Sequence, residues 1–165
     1  YKDVTFYEQS DGFFGVYLLR ADGQVQPVSF RLDPREMDQI EIHNERMTTR
    51  ISNADKIYTV FNPNLDINYG KVAVAIGEVA RLLPLTTKNQ VVSTDAYIED
   101  SEPINPDVPV RNCDNIPAGV IIIVFEIGDE NKIGGSGKCL KVEGTNEDNL
   151  IKAADRLGYM LVGIV

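Results

Sequence analysis

The chain contains one histidine, His43, and two cysteines, so few of its side chains suit nucleophilic or metal chemistry. A serine or cysteine hydrolase would need His43 as its general base, and no sharp-turn nucleophile motif accompanies it. One histidine also cannot build a histidine-based metal site. We interpret His43 as a solvated surface residue on a helix, and we predict no catalytic or cofactor-binding residues.

The glycine-rich stretch that ends at Gly137-Lys138 resembles a phosphate-binding loop in composition only. That motif requires a glycine where Lys132 stands and a serine or threonine where Cys139 stands. It also requires a helix to follow, so that backbone amides point at the phosphate, whereas a strand is predicted here. We therefore interpret residues 134–137 as a flexible hairpin tip and expect no cofactor.

The two cysteines, Cys113 and Cys139, are 26 positions apart. A disulfide between them would tie a proline-rich loop to a sheet and, in the loop-entropy model, would stabilise the fold by roughly 3–4 kcal/mol. We expect this disulfide, which implies an oxidising, extracytoplasmic setting or the interior of a hyperthermophile. The alternative is two isolated thiols in a cytosolic protein.

Acidic side chains outnumber basic ones, 25 to 16, which gives a net charge of −9. Among so many carboxylates, a general acid and base pair is one interpretation. A hard cation such as Ca²⁺ is another, with candidate ligands Asp95, Glu99, Asp100 and Asp107. No Asp-x-Asp-x-Asp-Gly loop accompanies them, so solubility is the favoured role and the metal question stays open.

The length of 165 residues and the hydrophobic content of 43% predict one globular domain of ordinary size. The acidic balance argues against a nucleic-acid groove, which requires clustered Lys and Arg. No apolar run approaches the ~20 residues of a membrane-spanning helix, so we expect no transmembrane segment in this chain. It begins at Tyr1 rather than Met, as a processed or trimmed chain would, which is compatible with a cleaved signal peptide or an anchor.

The elements that must position these residues form a single α/β (α+β) domain with a mixed sheet. We predict a β-meander over residues 1–32, with Pro27 marking an edge strand. A strand at 56–61, a helix at 69–83 capped by Asn68, and a strand at 90–98 predict a βαβ unit over residues 56–98. Residues 33–51 favour a short helix, with a strand at 40–42 as the alternative.

The rest of the chain is an acidic, proline-rich loop over 99–117, followed by a β-hairpin and a C-terminal helix over 118–165. The uniform apolar run at 119–127 predicts a central strand, and we expect it to pair with 138–143 as the hairpin. Thr145 or Asn146 is suited to cap the last helix, because Glu147 and Asp148 follow at its positive end.

Two stretches resemble a group of uncharacterised archaeal proteins that are predicted to be exported or membrane-tethered. The resemblance lies in residues 56–63, which read KIYTVFNP, and in residues 110–165, including VRNCDN, GDENKI, GKCLKVEG and NLIKAADRL. The group has no established activity. The resemblance therefore implies an extracytoplasmic location and paired cysteines, and it adds no catalytic residue.

These observations favour a non-enzymatic extracytoplasmic module, structural or binding, such as a subunit of an archaeal cell-surface assembly. We expect a protein partner or self-association, and no nucleic acid. The aromatic N-terminal strands supply the predicted contact residues, with an ordinary core as the alternative role: Phe6, Tyr7, Phe13, Phe14 and Tyr17.

The alternative function is a small soluble carboxylate-using enzyme or a cytosolic adaptor. An enzyme would place its groups at the open ends of the βαβ strands, where α/β sheets bind ligands. The residues predicted near those ends are Asn62, Asn64, Asp66, Asp95 and Glu99.

Overall fold

The computed structural model describes residues 3–19, 23–43, 46–64, 67–87, 92–98 and 105–164, without the side chains of 92–95. Within these residues, ten strands and four α-helices form one mixed α+β domain, which confirms the predicted fold class. The strands are β1 Tyr7–Glu8, β2 Phe14–Leu19, β3 Val25–Phe30, β4 Glu41–Ile42, β5 Lys56–Phe61, β6 Val92–Ile98, β7 Val110–Arg111, β8 Val120–Ile127, β9 Lys132–Ser136 and β10 Cys139–Gly144. The helices are α1 Met47–Ser52, α2 Tyr69–Ala80, α3 Leu83–Thr86 and α4 Glu147–Leu161, with a 3₁₀ helix at Pro34–Gln39.

The strands of the described residues form two sheets. The larger sheet has seven strands in the order β4-β9-β10-β8-β5-β6-β7, and the smaller has three in the order β1-β2-β3. Strands β10, β8, β5, β6 and β7 run parallel to one another, while β9 is antiparallel to β10. The apolar run of β8 lies at the centre of the larger sheet, as its uniform burial requires.

Helices α2 and α4 lie between the two sheets. Each begins at an asparagine whose side chain accepts a backbone hydrogen bond, Asn68 from Lys71 N and Asn146 from Asn149 N. One side of the helix pair packs on β5, β8 and β10 in the main hydrophobic core. The other side packs on the three-stranded sheet, where the Phe30 ring stacks on Tyr159 at 3.9 Å between centroids.

The pairing of β8 differs from the predicted hairpin. β8 pairs in parallel with β10, Ile122 opposite Cys139, and β9 lies between them in sequence and on the far side of β10 in space. Gly134 and Gly135, expected in a mobile tip, belong to β9 and pair with Lys141 and Leu140. The hairpin of this region is therefore β9–β10, with Gly137 in its turn.

Residues 33–52 also differ from the expectation of one short helix. Asp33 caps the 3₁₀ helix by accepting from Arg35 N, and Ile40 already has extended backbone angles. The two residues of β4 then pair in parallel with β9, so the strand alternative was right. His43 follows β4, and its exposed side chain lies 3.0 Å from a carboxylate oxygen of Glu41, off any helix.

Candidate functional site

The outer face of the three-stranded sheet presents side chains that the fold does not cover. Leu19 lies opposite Val25, Tyr17 opposite Pro27, and Gly15 opposite Tyr7. Because side chains alternate along a strand, these residues share one face, while Val16, Val28 and Phe30 point to the helices. We call the set Tyr7, Gly15, Tyr17, Leu19, Val25 and Pro27 the outer patch.

Exposure of large apolar side chains is concentrated in the outer patch. Among the described residues, four large hydrophobic side chains are exposed, and three of them belong to the patch: Tyr17 at 64%, Leu19 at 76% and Val25 at 61%. The fourth, Val110 at 40%, lies on β7 at the edge of the other sheet. Single exposed apolar residues are common on proteins, but neighbouring ones mark a surface that contacts something else.

Glycine at position 15 lets the two tyrosines of the patch lie flat on the sheet. The Tyr7 and Tyr17 rings stack at 5.4 Å between centroids. A Cβ at Gly15 would come within 2.3 Å of the Tyr7 ring, so no other residue fits there without moving Tyr7. A ring covering a glycine on the opposite strand is a known way to fix strand register. A hydrogen bond with the Tyr7 side chain raises the pKa of Tyr17.

The edges of the small sheet are poor templates for adding another strand. β3 is an edge strand, as predicted, and Pro27 at its centre has no N–H to donate. The opposite edge, β1, has two residues. A partner strand therefore finds few backbone groups to pair with, and the face of this sheet is its available contact surface.

The structure places the five predicted contact residues in different environments. Tyr7 and Tyr17 lie on the outer patch. Phe6 packs edge-on against Tyr159 in the inner cluster, and Phe14 shares the inner face with Phe30. Phe13 lies beneath the Arg31 guanidinium, 5.0 Å from the ring centroid.

Sequence reasoning missed four members of the outer patch: Gly15, Leu19, Val25 and Pro27. The alternation of 14–19 carries the signal that separates the two faces, since even positions are inner and odd positions are outer. Selecting residues for being aromatic, without regard to that alternation, mixed the two faces.

The residues predicted for a carboxylate-using enzyme do not come together as a site within the described part of the chain. Asp66 and Glu99 lie outside the described residues, as does the Asp95 side chain. Asn62 accepts a hydrogen bond from Asn64 N at 2.9 Å, which closes the turn after β5. Glu147 accepts from Asn68 N at 2.9 Å, and this bond lowers its pKa and joins the starts of α4 and α2.

The cation hypothesis rests on Asp95 of β6 and on three carboxylates of the acidic loop over residues 99–117. Of its four candidate ligands, Glu99 and Asp100 lie outside the described residues, the Asp95 side chain is likewise not described, and Asp107 is exposed. Among the residues that are described, no group of three or more His, Cys, Asp or Glu side chains is arranged to hold a metal ion.

Cys113 and Cys139 are paired at disulfide distance, with Cα atoms 5.4 Å apart. Cys139 is the first residue of β10 and lies on the sheet face that the helices do not cover, beside Ile122 and Tyr58. The pair fastens residues 112–117 across that face, as the sequence led us to expect.

Comparison with known proteins finds no matching family model, no matching curated protein and no matching solved structure. The resemblance to exported archaeal proteins stays a prediction. Across the described residues, no helix combines the length and apolar character needed to cross a bilayer.

Proposed function

We propose that this protein is a non-enzymatic, extracytoplasmic binding module that docks on a protein partner through the outer patch. The observation that carries the proposal is the exposure of Tyr17, Leu19 and Val25 side by side on an uncharged sheet face. Aromatic and aliphatic side chains of this kind form the central anchors of protein interfaces.

The size of the outer patch decides what kind of partner fits. The two six-residue strands β2 and β3 cover roughly 20 Å by 10 Å, or about 200 Å², and the two-residue strand β1 adds little to this. A stable interface buries about 800 Å² on each partner. The patch is therefore the apolar centre of a larger contact, and the charged surface around it must complete the interface.

That surrounding surface belongs to a chain with a net charge of −9. A second copy would carry the same net charge of −9, which like-charge repulsion disfavours. We therefore commit to a different protein, with an apolar centre that meets the outer patch and a basic rim that complements the net negative charge of this chain.

The proposed compartment follows from the Cys113–Cys139 pair. Disulfides persist in oxidising surroundings and are rare in reduced cytosol. The chain has no further cysteine that would point to metal or redox chemistry instead. The paired cysteines support an exported module, as does the resemblance to exported archaeal proteins.

Photo-crosslinking in intact producing cells tests the proposal. A photoreactive phenylalanine analogue replaces Leu19 in the outer patch, and in a matched control it replaces Val110, an exposed apolar residue on β7. We expect position 19, and not position 110, to capture one distinct protein whose crosslinked surface is rich in Lys and Arg. Adding Tyr17→Lys should abolish that product, because it places a positive charge at the centre of the contact.

Two results would overturn the docking proposal. Crosslinks only between two copies of this chain would assign the outer patch to self-association. Equal products, or none, at positions 19 and 110 would show that the patch is not a docking surface.

Protease added outside intact cells tests the proposed compartment, since an exported chain is digested without lysis of the cells.

A further inference from the structure

A second site of binding chemistry lies on the opposite side of the molecule, where two cations flank Tyr58. Lys56 Nζ is 4.7 Å from the centroid of the Tyr58 ring, and Arg111 Cζ is 4.6 Å from it. The Arg111 Nη2 group also donates a hydrogen bond to the Tyr58 hydroxyl oxygen at 3.2 Å. Tyr58 itself is 7% exposed, so its ring forms a fixed floor beneath the two charges.

The two cations lack carboxylate partners in the part of the chain that is described. Arg111 donates only to Tyr58 and to its neighbouring carbonyl oxygen at Val110, and Lys56 contacts the Tyr58 ring. Arg35 and Arg81, by contrast, form ion pairs with the carboxylates of Asp33 and Glu78. Two cations that face the same phenol and not a carboxylate leave positive charge available to attract an anion.

A cavity of about 380 Å³ opens beside Tyr58 and Arg111. Its apolar wall is formed by Val110, Ile116, Pro117, Val120 and Ile122, and its polar side by Tyr58, Arg111, Asn112, Asp114 and Asn115. Ligand sites of small molecules combine such an apolar wall with a few oriented polar groups, and they start at about 300 Å³. The cavity is thus shaped for a small organic molecule with one charged end.

The loop that forms one wall of the cavity is held in place from several directions. The Cys113–Cys139 pair ties it to β10, and Asn112 Oδ1 accepts from Asp114 N at 3.1 Å. Lys138 Nζ donates to the carbonyl oxygens of Ile116 and Pro117 at 3.0 and 2.9 Å. A wall fixed before binding loses little conformational entropy when a ligand arrives.

The charges around the cavity select among anions. The planar guanidinium of Arg111 matches a carboxylate group, and Lys56 adds a second positive charge nearby. Asp114 on the rim opposes a doubly charged phosphate ester more strongly than a singly charged acid. We propose that this cavity binds a small monocarboxylate with an apolar or aromatic body, its carboxylate at Arg111 and its body on the apolar wall.

The test titrates ¹⁵N-labelled protein with phenylacetate, phenyl phosphate and benzyl alcohol as probes, followed by NMR. We expect phenylacetate to shift amides of 110–117 and 120–122 and to bind at least tenfold more tightly than the other two probes. Arg111→Gln should weaken phenylacetate binding about tenfold or more, because a charge-assisted bond is lost. Arg111→Lys keeps the charge and should recover part of the affinity.

A second readout follows the phenol itself. The Lys56 ammonium and the Arg111 guanidinium lower the pKa of Tyr58. Binding of an anion to these cations should raise that pKa, measured from the ¹³Cζ shift of Tyr58. Arg35→Gln, which removes another exposed arginine, serves as the matched control and should leave both readouts unchanged.

The proposal fails if Arg111→Gln leaves phenylacetate affinity unchanged while the variant stays folded by its thermal midpoint. Tighter binding of phenyl phosphate than of phenylacetate would overturn the carboxylate assignment. These results do not bear on the outer patch, since Leu19→Lys should alter neither measurement. A failed crosslink at position 19 would likewise leave this cavity untouched.

Discussion

The two sheets of this protein are held by different kinds of force. In the larger sheet, β5 and β8 carry buried apolar side chains on both faces, packed against α2 and α4 on one side and around the Cys139 pair on the other. The smaller sheet has one covered face, with Val16, Val28 and Phe30 as its buried apolar members. Its other face is the outer patch.

Polar contacts make up part of what the smaller sheet lacks in apolar burial. Asp155 Oδ2 of α4 accepts from Leu32 N at 2.8 Å, and the Tyr159 hydroxyl donates to Leu32 O at 2.8 Å. Arg31 Nε donates to Glu78 Oε1 of α2 at 3.1 Å. The larger sheet depends on apolar burial, whereas the attachment of the smaller one also depends on these hydrogen bonds and hence on the ionisation state of Asp155.

The largest expected effect is in the main core. Phe125→Ala removes a ring that is 2% exposed on β8, and large-to-small changes of this kind cost about 3–5 kcal/mol of unfolding free energy. Urea unfolding followed by far-UV circular dichroism measures it. Val60→Ala in the larger sheet and Val16→Ala in the smaller sheet are the size-matched pair, and Val60→Ala should cost more because β5 is covered on both faces and can relax less. An equal loss in both variants would contradict the difference between the sheets.

The pH dependence of the smaller sheet's attachment comes from Asp155. The side chain is 1% exposed and its Oδ1 has no hydrogen-bond partner among the described residues. Burial, with Glu78 of α2 as a second cause, raises the pKa of Asp155 from 3.8 to about 7. The Leu32 N–H and the positive charges of Arg81 and Arg31 act in the other direction.

A raised carboxyl pKa in the folded state means that the native protein binds this proton more tightly than the unfolded chain does. The stabilisation is therefore fully present below about pH 3.8 and is lost as the pH rises through about 7. Three pKa units correspond to about 4 kcal/mol. Asp155→Asn keeps an oxygen acceptor for Leu32 N without the ionisation, so the variant should gain stability over the wild type as the pH rises from 4 to 8.

Urea unfolding of both proteins at several pH values measures that gain. Amide exchange should locate the weakening in β2 and β3, because their attachment at Leu32 contains Asp155. A wild type and Asp155→Asn that respond identically to pH would show that this carboxyl does not control the smaller sheet.

The disulfide pair gives the next largest effect, confined to the larger sheet. Closing a loop of 26 residues stabilises the fold by roughly 3–4 kcal/mol in the loop-entropy model. The double variant Cys113→Ser, Cys139→Ser should lose about that much on urea unfolding, with faster amide exchange in 112–117 and unchanged exchange in β2. Intact mass without reductant and after alkylation checks the pair in the native protein. Two alkylated thiols without prior reduction would contradict it.

Local signals in the sequence predicted much of the larger sheet. The β-branched and aromatic run of β5 was predicted with its observed bounds, and the asparagine caps of α2 and α4 were identified as candidates. In both caps the asparagine side chain accepts a hydrogen bond from the amide three residues ahead, so a few consecutive residues are enough to predict the cap. Pro27 marked an edge for an equally local reason.

Non-local pairing was not predictable in the same way. The sequence of 120–144 suits a hairpin between β8 and β10 as well as the parallel pair that forms, and the choice depends on where β9 finds a partner. Two residues, Glu41 and Ile42, provide that partner from 91 positions upstream. The cavity at Tyr58 was missed because Arg111 reaches that ring from β7, on the far side of β6 and 53 positions along the chain.

The Tyr159 hydroxyl is expected to contribute about 1 kcal/mol, the usual net value of one hydrogen bond. Tyr159→Phe keeps the ring that stacks on Phe30 and removes the hydroxyl that donates to Leu32 O. Unfolding free energies of the two proteins at pH 5 measure the loss. Because Asp155 still holds Leu32 N, the variant should retain the pH dependence of the wild type. A variant without that dependence would mean that the two contacts cannot be separated.

The smallest expected effect is at the outer patch, which the fold itself does not use. Leu19→Lys changes a side chain that is 76% exposed, so it should alter the unfolding free energy by less than about 0.5 kcal/mol. The same substitution should remove the crosslinked partner, because a buried positive charge opposes both the apolar centre and the basic rim of the proposed interface. A large loss of stability would instead show that Leu19 packs within the chain, and the outer patch would then belong to the core of this protein.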